Sequence, residues 1–237
     1  MIIYGINPVL EALRAGRVKE LRVSQRSDER LRELLALAGD GGVPVRRVPQ
    51  DALDRDSRRG VHQGVVAEVE DLEAYSVEDL VRGARGVPLI VVLDGIEDPH
   101  NLGAILRTAD AAGVDGVIIQ SRRVAALGGA AAKASAGAVS HVKIAEVVNI
   151  ARAIEELKEL GVWTVGLAAE SQTSYDSIDF TAPSAIVLGA EGVGLRRLVR
   201  ERCDFLAAIP MAGHVGSLNV SVSGGIALFE AVRQRKA

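Results

Sequence analysis

A single cysteine, Cys203, in a chain of 237 residues excludes a disulfide framework and a thiolate zinc site, and makes a reducing cytoplasm the default setting. The four histidines do not fall at metal-ligand spacing, so no metal is expected. No run of about 18 apolar residues occurs, so no segment reads as membrane-spanning. The opening, from Met1 to Leu13, lacks the basic region, long apolar stretch and small-residue cleavage site of a signal peptide. Walker A and G-x-S-x-G are both absent. Aromatic residues make up only 3% of the chain, too few for extensive base stacking. Excess charge is also lacking. The net charge of −3 argues against a general nucleic-acid coat protein but leaves room for a local basic patch.

What is present is ordinary globular composition, 48% hydrophobic and 25% charged, over a length that fits one large domain or two smaller ones. Residues 1–69 read as a small α/β unit. Asn7 and Pro8 open a helix through Val9, Leu10 and Leu13; a strand follows near Leu21 and Val23, then a helix from Asp28 to Ala38 stopped by Gly39–Gly42. VPVRRV suggests another strand, Gln50–Leu53 a helix start, and GVHQGVVAEVE a turn leading into an alternating strand. Residues 70–86 hold a short helix at Val77–Val81 but no strand, and read as a linker. From residue 87 to 237 strands and helices alternate, beginning with the apolar run LIVVLDGI, which implies a parallel sheet covered on both faces.

Three loops that follow strands are the places for chemistry, because ligands of open α/β sheets bind at the carboxyl ends of the strands. In the first, DPHNLGAILRTADAAGV, Pro99 and Gly103 bracket Asn101, and Arg107 lies within the following helix. The second, LGAEGVGL, has three glycines and one carboxylate, Glu191. Its G-x-x-G-x-G order differs from the dinucleotide fingerprint G-x-G-x-x-G, which speaks against a dehydrogenase. The third, IPMAGHVGSLNVSVSGGIALFEAVR, reads as a strand end, a loop and a helix. Ser217 is placed to cap that helix, and Ser217 and Asn219 stand where helix starts offer unpaired N–H groups. Val222, Ile226 and Phe229 share one helix side, while Ser221, Gly224, Gly225 and Leu228 share another. The two glycines fit either tight helix packing or a ligand lying against them.

Taken together, in this order and spacing, the three loops resemble the signature motifs of the SpoU/TrmH ribose 2′-O-methyltransferases. KASAGAVSH resembles the family's intervening small-residue segment, with Ser140 where an acidic residue is common. GINPVLEAL and HQGVVAEV are similar to the N-terminal RNA-binding domain of the branch that methylates a guanosine in bacterial 23S rRNA. The resemblance implies an S-adenosylmethionine-dependent enzyme with an N-terminal RNA-binding domain, a C-terminal domain tied in a deep trefoil knot, and a homodimeric assembly. It implies cofactor binding by the backbone at Gly189, Ile209 and Leu218, and an active site of Asn101, Arg107, Glu191, Ser217 and Asn219.

The implied reaction is attack of a ribose 2′-hydroxyl on a sulfonium methyl, which needs in-line positioning and removal of a poorly acidic proton. The resemblance gives the proton to Arg107. A guanidinium stays protonated and offers donors only, so holding a phosphate and stabilising alkoxide charge suits it better; pairing with Glu191 as structural support is a third reading. For RNA phosphates the sequence offers Arg46, Arg47, Arg55, Arg58, Arg59 and His62 in front, and Arg122 and Arg123 after a strand of the second domain. Two alternatives stay open: a tRNA or another rRNA nucleotide as substrate, and a non-catalytic RNA-binding or assembly protein.

Overall fold

The structure, a computed structural model, describes residues 1–25, 31–70, 73–121 and 129–236. Its backbone contacts divide into two units. The first comprises Met1–Leu72, Leu102–Arg107 and Ala126–His141, the second Glu73–Asn101, Thr108–Ala125 and Val142–Ala237.

In the first unit β1 (Ile2–Tyr4), α1 (Ile6–Arg14), β2 (Val18–Ser24), α2 (Arg32–Asp40), β3 (Val45–Val48), α3 (Gln50–Asp56) and β4 (Val65–Val69) follow in chain order. The strands form one sheet in the order β1-β4-β2-β3, with β4 antiparallel to β1 and β2, and β3 parallel to β2. Alternation along β2 explains its two faces. Leu21 and Val23 are fully buried with Val9, Leu34, Leu53 and Val65. Arg22 between them points the other way and is held by Glu20 at 2.7 Å and Asp56 at 2.8 Å. Helix α1 is not capped by Asn7, which lies inside it; instead the Gln63 carboxamide oxygen accepts the Ile6 N–H at 3.0 Å, from 57 residues away.

The second unit is built on a six-stranded parallel sheet. Its elements are α4 (Val77–Arg82), β5 (Leu89–Asp94), α5 (Pro99–Ala112, of which Leu102–Arg107 fall in the first unit) and β6 (Gly116–Gln120). After α6 (Gly129–Ala134), which belongs to the first unit, come β7 (Ile144–Val147), α7 (Ile150–Glu159), β8 (Trp163–Leu167), β9 (Ser184–Gly189), α8 (Arg197–Arg202), β10 (Phe205–Ala207) and α9 (Val220–Lys236). The strand order is β10-β8-β9-β5-β6-β7, so β9 fills the slot between β8 and β5 and the winding reverses there. Ile90, Val92, Ile118, Ala185 and Val187 pack beneath α4, α7 and α8. On the opposite face α9 lies so close that a Cβ on Gly224 would stand 2.7 Å from the Leu188 side chain.

Several elements differ from their sequence reading. The short helix expected in the stretch read as a linker is α4, opened by a Ser76/Asp79 capping box, and it buries Val77 and Leu80 in the core of the second unit. Strand β7 has only four residues, one of them charged, and therefore carries no clear period. Helix α9 starts at Val220, not after Ser217, and its buried side carries Gly224 and Leu228, whereas Val222 and Phe229 are about half exposed. Near its far end Arg235 donates to the carbonyls of Phe180, Val87, Pro88 and Ala182, fastening the helix over the starts of β5 and β9.

Candidate active site

At the carboxyl end of β5, Asp94 is completely buried, and its two oxygens take the Arg196 backbone N–H at 2.8 Å and the Arg196 Nε at 2.6 Å. This anchors the far end of the loop that leaves β9. The near end is Gly189, where a Cβ would collide with the backbone of Gly194 and Leu195. Only glycine allows the loop to fold back this tightly. Across the loop Ala190 and Gly194 exchange backbone hydrogen bonds of 3.1 and 2.8 Å. Glu191 is thereby held at an exposed tip.

Helix α5 begins with Asp98 accepting the His100 N–H at 2.9 Å and Pro99 in its first turn. Asn101 follows, 7% exposed. Asn219 joins the three loops. Its Nδ2 donates to Asn101 Oδ1 at 3.0 Å and to Glu191 Oε1 at 2.8 Å. Its Oδ1 accepts the Ser221 N–H at 2.9 Å and the Val222 N–H at 3.4 Å, so Asn219 is the residue that caps α9. The chemistry of both ends fixes the orientation of the amide, since the donor end faces two acceptors and the acceptor end faces N–H groups.

Beside this junction, at the ends of β8, β9 and β10, lies a cavity of about 500 Å³. Gly189, Ile209 and Leu218 line it, as do Glu191, Ser217 and Asn219. The volume falls in the range of small-molecule sites, and most of the lining residues are glycine or apolar in type. Arg107, on α5, is exposed and forms no ion pair among the described residues. His100 and His214 are exposed. Among the described residues no three His, Cys, Asp or Glu side chains converge as a metal site requires, and no helix is long and apolar enough to cross a membrane.

In the first unit Arg46 lies on the exposed edge strand β3, 3.3 Å from Glu20, and Arg47 beside it is exposed and unpaired among the described residues. Arg58 and Arg59, also exposed, stand consecutively in the left-handed region with φ 51° and 61°. His62 is only 5% exposed. Its Nδ1 accepts the Gly64 N–H at 3.0 Å, and its Nε2 lies 3.1 Å from Asp54 Oδ1 and 3.2 Å from the Gln50 side-chain amide. His62 therefore braces the loop from within instead of presenting a ring edge to solvent. Arg122 and Arg123 lie outside the described residues.

Sequence patterns complete the picture. Residues 88–229 match the SpoU rRNA Methylase family. The chain belongs to that family. Residues 2–75 match a second family, RNA 2′-O ribose methyltransferase substrate binding. The 23S rRNA (guanosine-2′-O-)-methyltransferase RlmB of Pseudomonas putida is 47% identical over 240 residues, covering 99% of this chain and 96% of that protein. RlmB of Yersinia pestis is 46% identical over 239 residues, covering 99% and 97%. Among solved structures the SpoU methyltransferase AviRb from Streptomyces viridochromogenes, in complex with the cofactor AdoMet, aligns with a TM-score of 0.83 at 27% identity, over 100% of this chain and 90% of that one.

The family motifs are thus carried by loops that the fold brings to one end of one sheet, with the exception of Arg107, which lies in the stretch of α5 assigned to the first unit. Sequence reasoning passed over Asp94 and Arg196. The available signal was a charged residue ending an apolar strand, since a buried carboxylate needs a partner.

Proposed function

We propose that this chain transfers a methyl group from S-adenosylmethionine to the ribose 2′-hydroxyl of a guanosine in 23S rRNA. The observation that carries this reading is the Asn219 junction, which draws three motif loops together beside a cavity of small-molecule size. Similarity to RlmB proteins along the whole chain supports the choice of rRNA over tRNA. The cavity suits the cofactor in size, and a bent ligand would meet the backbone of Gly189, Ile209 and Leu218 along its wall. When bound, S-adenosylmethionine supplies an electrophilic methyl group on sulfonium.

The residues around it have separate tasks. Asn219, Asn101 and Glu191 hold the loops in register, and Ser217 stands at the cavity wall where a ribose would enter. Arg107 fixes the phosphate next to the target ribose and stabilises the alkoxide as the hydroxyl loses its proton. Arg46, Arg47, Arg58 and Arg59, with Arg122 and Arg123, contact phosphates. In functional terms residues 1–69 select the RNA, 70–86 connect, and 87–237 form the methyltransferase domain with its trefoil knot. The enzyme works in the cytoplasm as a homodimer, and the exposed Val222 and Phe229 on α9 are the apolar surface offered to a second copy.

Mapping 2′-O-methyl groups in rRNA from cells with and without this protein tests the reading, together with purified protein, labelled cofactor, and 23S rRNA or tRNA. Loss of one guanosine methylation in 23S rRNA is expected. Transfer to tRNA alone would reject the substrate, and cofactor binding without transfer to any RNA would reject catalysis. Light scattering of an active preparation as a 25 kDa monomer would reject the dimer.

A further inference from the structure

The small-residue segment between β6 and β7 has no task in this reading, yet it holds the first unit together. Gly103 of α5 packs on α6 at backbone distance: a Cβ there would lie 2.7 Å from the Ser135 nitrogen and 2.8 Å from the Ala131 carbonyl oxygen. Arg107 is four residues further along α5 and therefore on the same face of that helix. One residue before Ala134, which also crowds Gly103, Lys133 donates from Nζ to the carbonyl oxygen of Val61 at 3.0 Å.

Val61 belongs to the loop that presents Arg58 and Arg59. That loop is stiff. Two consecutive non-glycine residues sit in the left-handed region, a conformation that persists only where the surroundings enforce it. Ser57 bonds across the turn to the carbonyls of Asp54 and Gly60, His62 braces it, and the Tyr4 ring leaves no room for a Cβ on Gly60. Further along the same segment Glu11 packs on Gly137 and meets His141 Nε2 at 3.1 Å. A continuous path therefore runs from the arginine loop through Lys133 and α6 to Gly103, with a firm contact at each step.

We infer that Lys133 is a positioning residue that registers the RNA-holding loop against the helix carrying Arg107. This rests on the RNA methyltransferase reading. Methyl transfer demands that the target ribose arrive in line, and a misplacement of about 1 Å can cost roughly 100-fold in rate. The loop grips phosphates without reading where the ribose lies, so a fixed link to the Arg107 helix converts grip into alignment. The ammonium suits the task because its partner is a backbone carbonyl, whose position is set by the loop and not by a side-chain rotamer.

The test uses full-length protein and a 23S rRNA fragment, with RNA affinity, cofactor affinity and single-turnover rate measured separately. Lys133→Met keeps the stem and removes the donor; Lys133→Arg keeps a donor. The methionine variant is expected to bind RNA and cofactor within a few-fold of wild type while its rate at saturating RNA falls roughly tenfold or more, and the arginine variant recovers most of that loss. Arg58→Ala with Arg59→Ala provides the contrast, because its loss is expected in RNA affinity. A methionine variant at wild-type rate overturns the inference. So does one whose RNA affinity falls as much as its rate, because Lys133 would then be an RNA contact. Wild-type protein inert on every RNA would remove the function reading itself, and this inference with it.

Discussion

The Asn219 side chain lies 2.8 Å from the Glu191 carboxylate and at the same time caps the helix that follows it. One amide thus serves two partners of opposite demand, a donor toward the loop after β9 and an acceptor toward α9. The two tasks separate on substitution.

Asn219→Asp keeps the cap, because aspartate caps helices as well as asparagine does. It sets two carboxylates against each other where a hydrogen bond stood. The melting temperature should change little, whereas methyl transfer should fall by roughly 10²–10³. Asn219→Ala should lose the rate and in addition about 1 kcal/mol of stability. Melting curves beside single-turnover rates distinguish the two; an aspartate variant with wild-type turnover would dismiss the junction from the mechanism.

For Arg107 the prediction is geometric. Lysine retains the charge but not the planar fork that can hold a phosphate and a hydroxyl together. Arg107→Lys should lose nearly as much turnover as Arg107→Ala, on the order of 10²–10³, with cofactor affinity unchanged in both. A lysine variant within a few-fold of wild type would show that charge alone suffices.

Asp94→Asn replaces one of the two buried acceptor oxygens with an NH2 group that faces the Arg196 donors. Arg196 can swing into water, being half exposed, so the cost should stay near 2 kcal/mol. The loop carrying Gly189 and Glu191 loosens, and cofactor affinity should drop about tenfold, equivalent to 1.4 kcal/mol. Calorimetry on the folded variant is the check, and an unaltered dissociation constant would refute it.

Burial, reinforced by the Asp204 carboxylate, pushes the Cys203 thiol up to about 12. Its thiolate is therefore scarce in the native protein at neutral pH, and a thiol reagent should label the chain only after denaturation. The native state binds this proton more tightly than the unfolded chain, whose thiol titrates near 8.5. The stabilisation is thus fully present below pH 8.5 and is lost as pH rises toward about 12. Cys203→Ala should flatten that part of the stability profile. Stoichiometric labelling of the native protein within minutes would contradict the assignment.

The parallel sheet and its catalytic loops were legible in the sequence because short apolar runs, glycines and strand-end polar residues are local signals. The Asp94–Arg196 pair was not, since its members stand 102 residues apart and a strand-end carboxylate does not say which residue answers it. The cap of α9 was misread for a related reason: Ser217 and Asn219 are both good caps, and only the partners across the sheet end select the asparagine. Contacts of the front stretch with later residues were not legible either. Glu11 packs on Gly137 and bonds to His141, so residues 1–69 are not self-contained, and deleting them would strip that segment of its partners. Val77 and Leu80 show the same limit within the stretch read as a linker, where a six-residue helix is too short to declare that it is buried.

Arg235 has a consequence for timing. Its guanidinium holds four carbonyls at the starts of β5 and β9, while the opposite end of the same helix is capped by Asn219, which lines the cavity. A nascent chain halted before Arg235 has synthesised every catalytic residue yet lacks the fastening that sets α9 in place. Catalytic competence should therefore arise only after α9 has cleared the ribosome that made it.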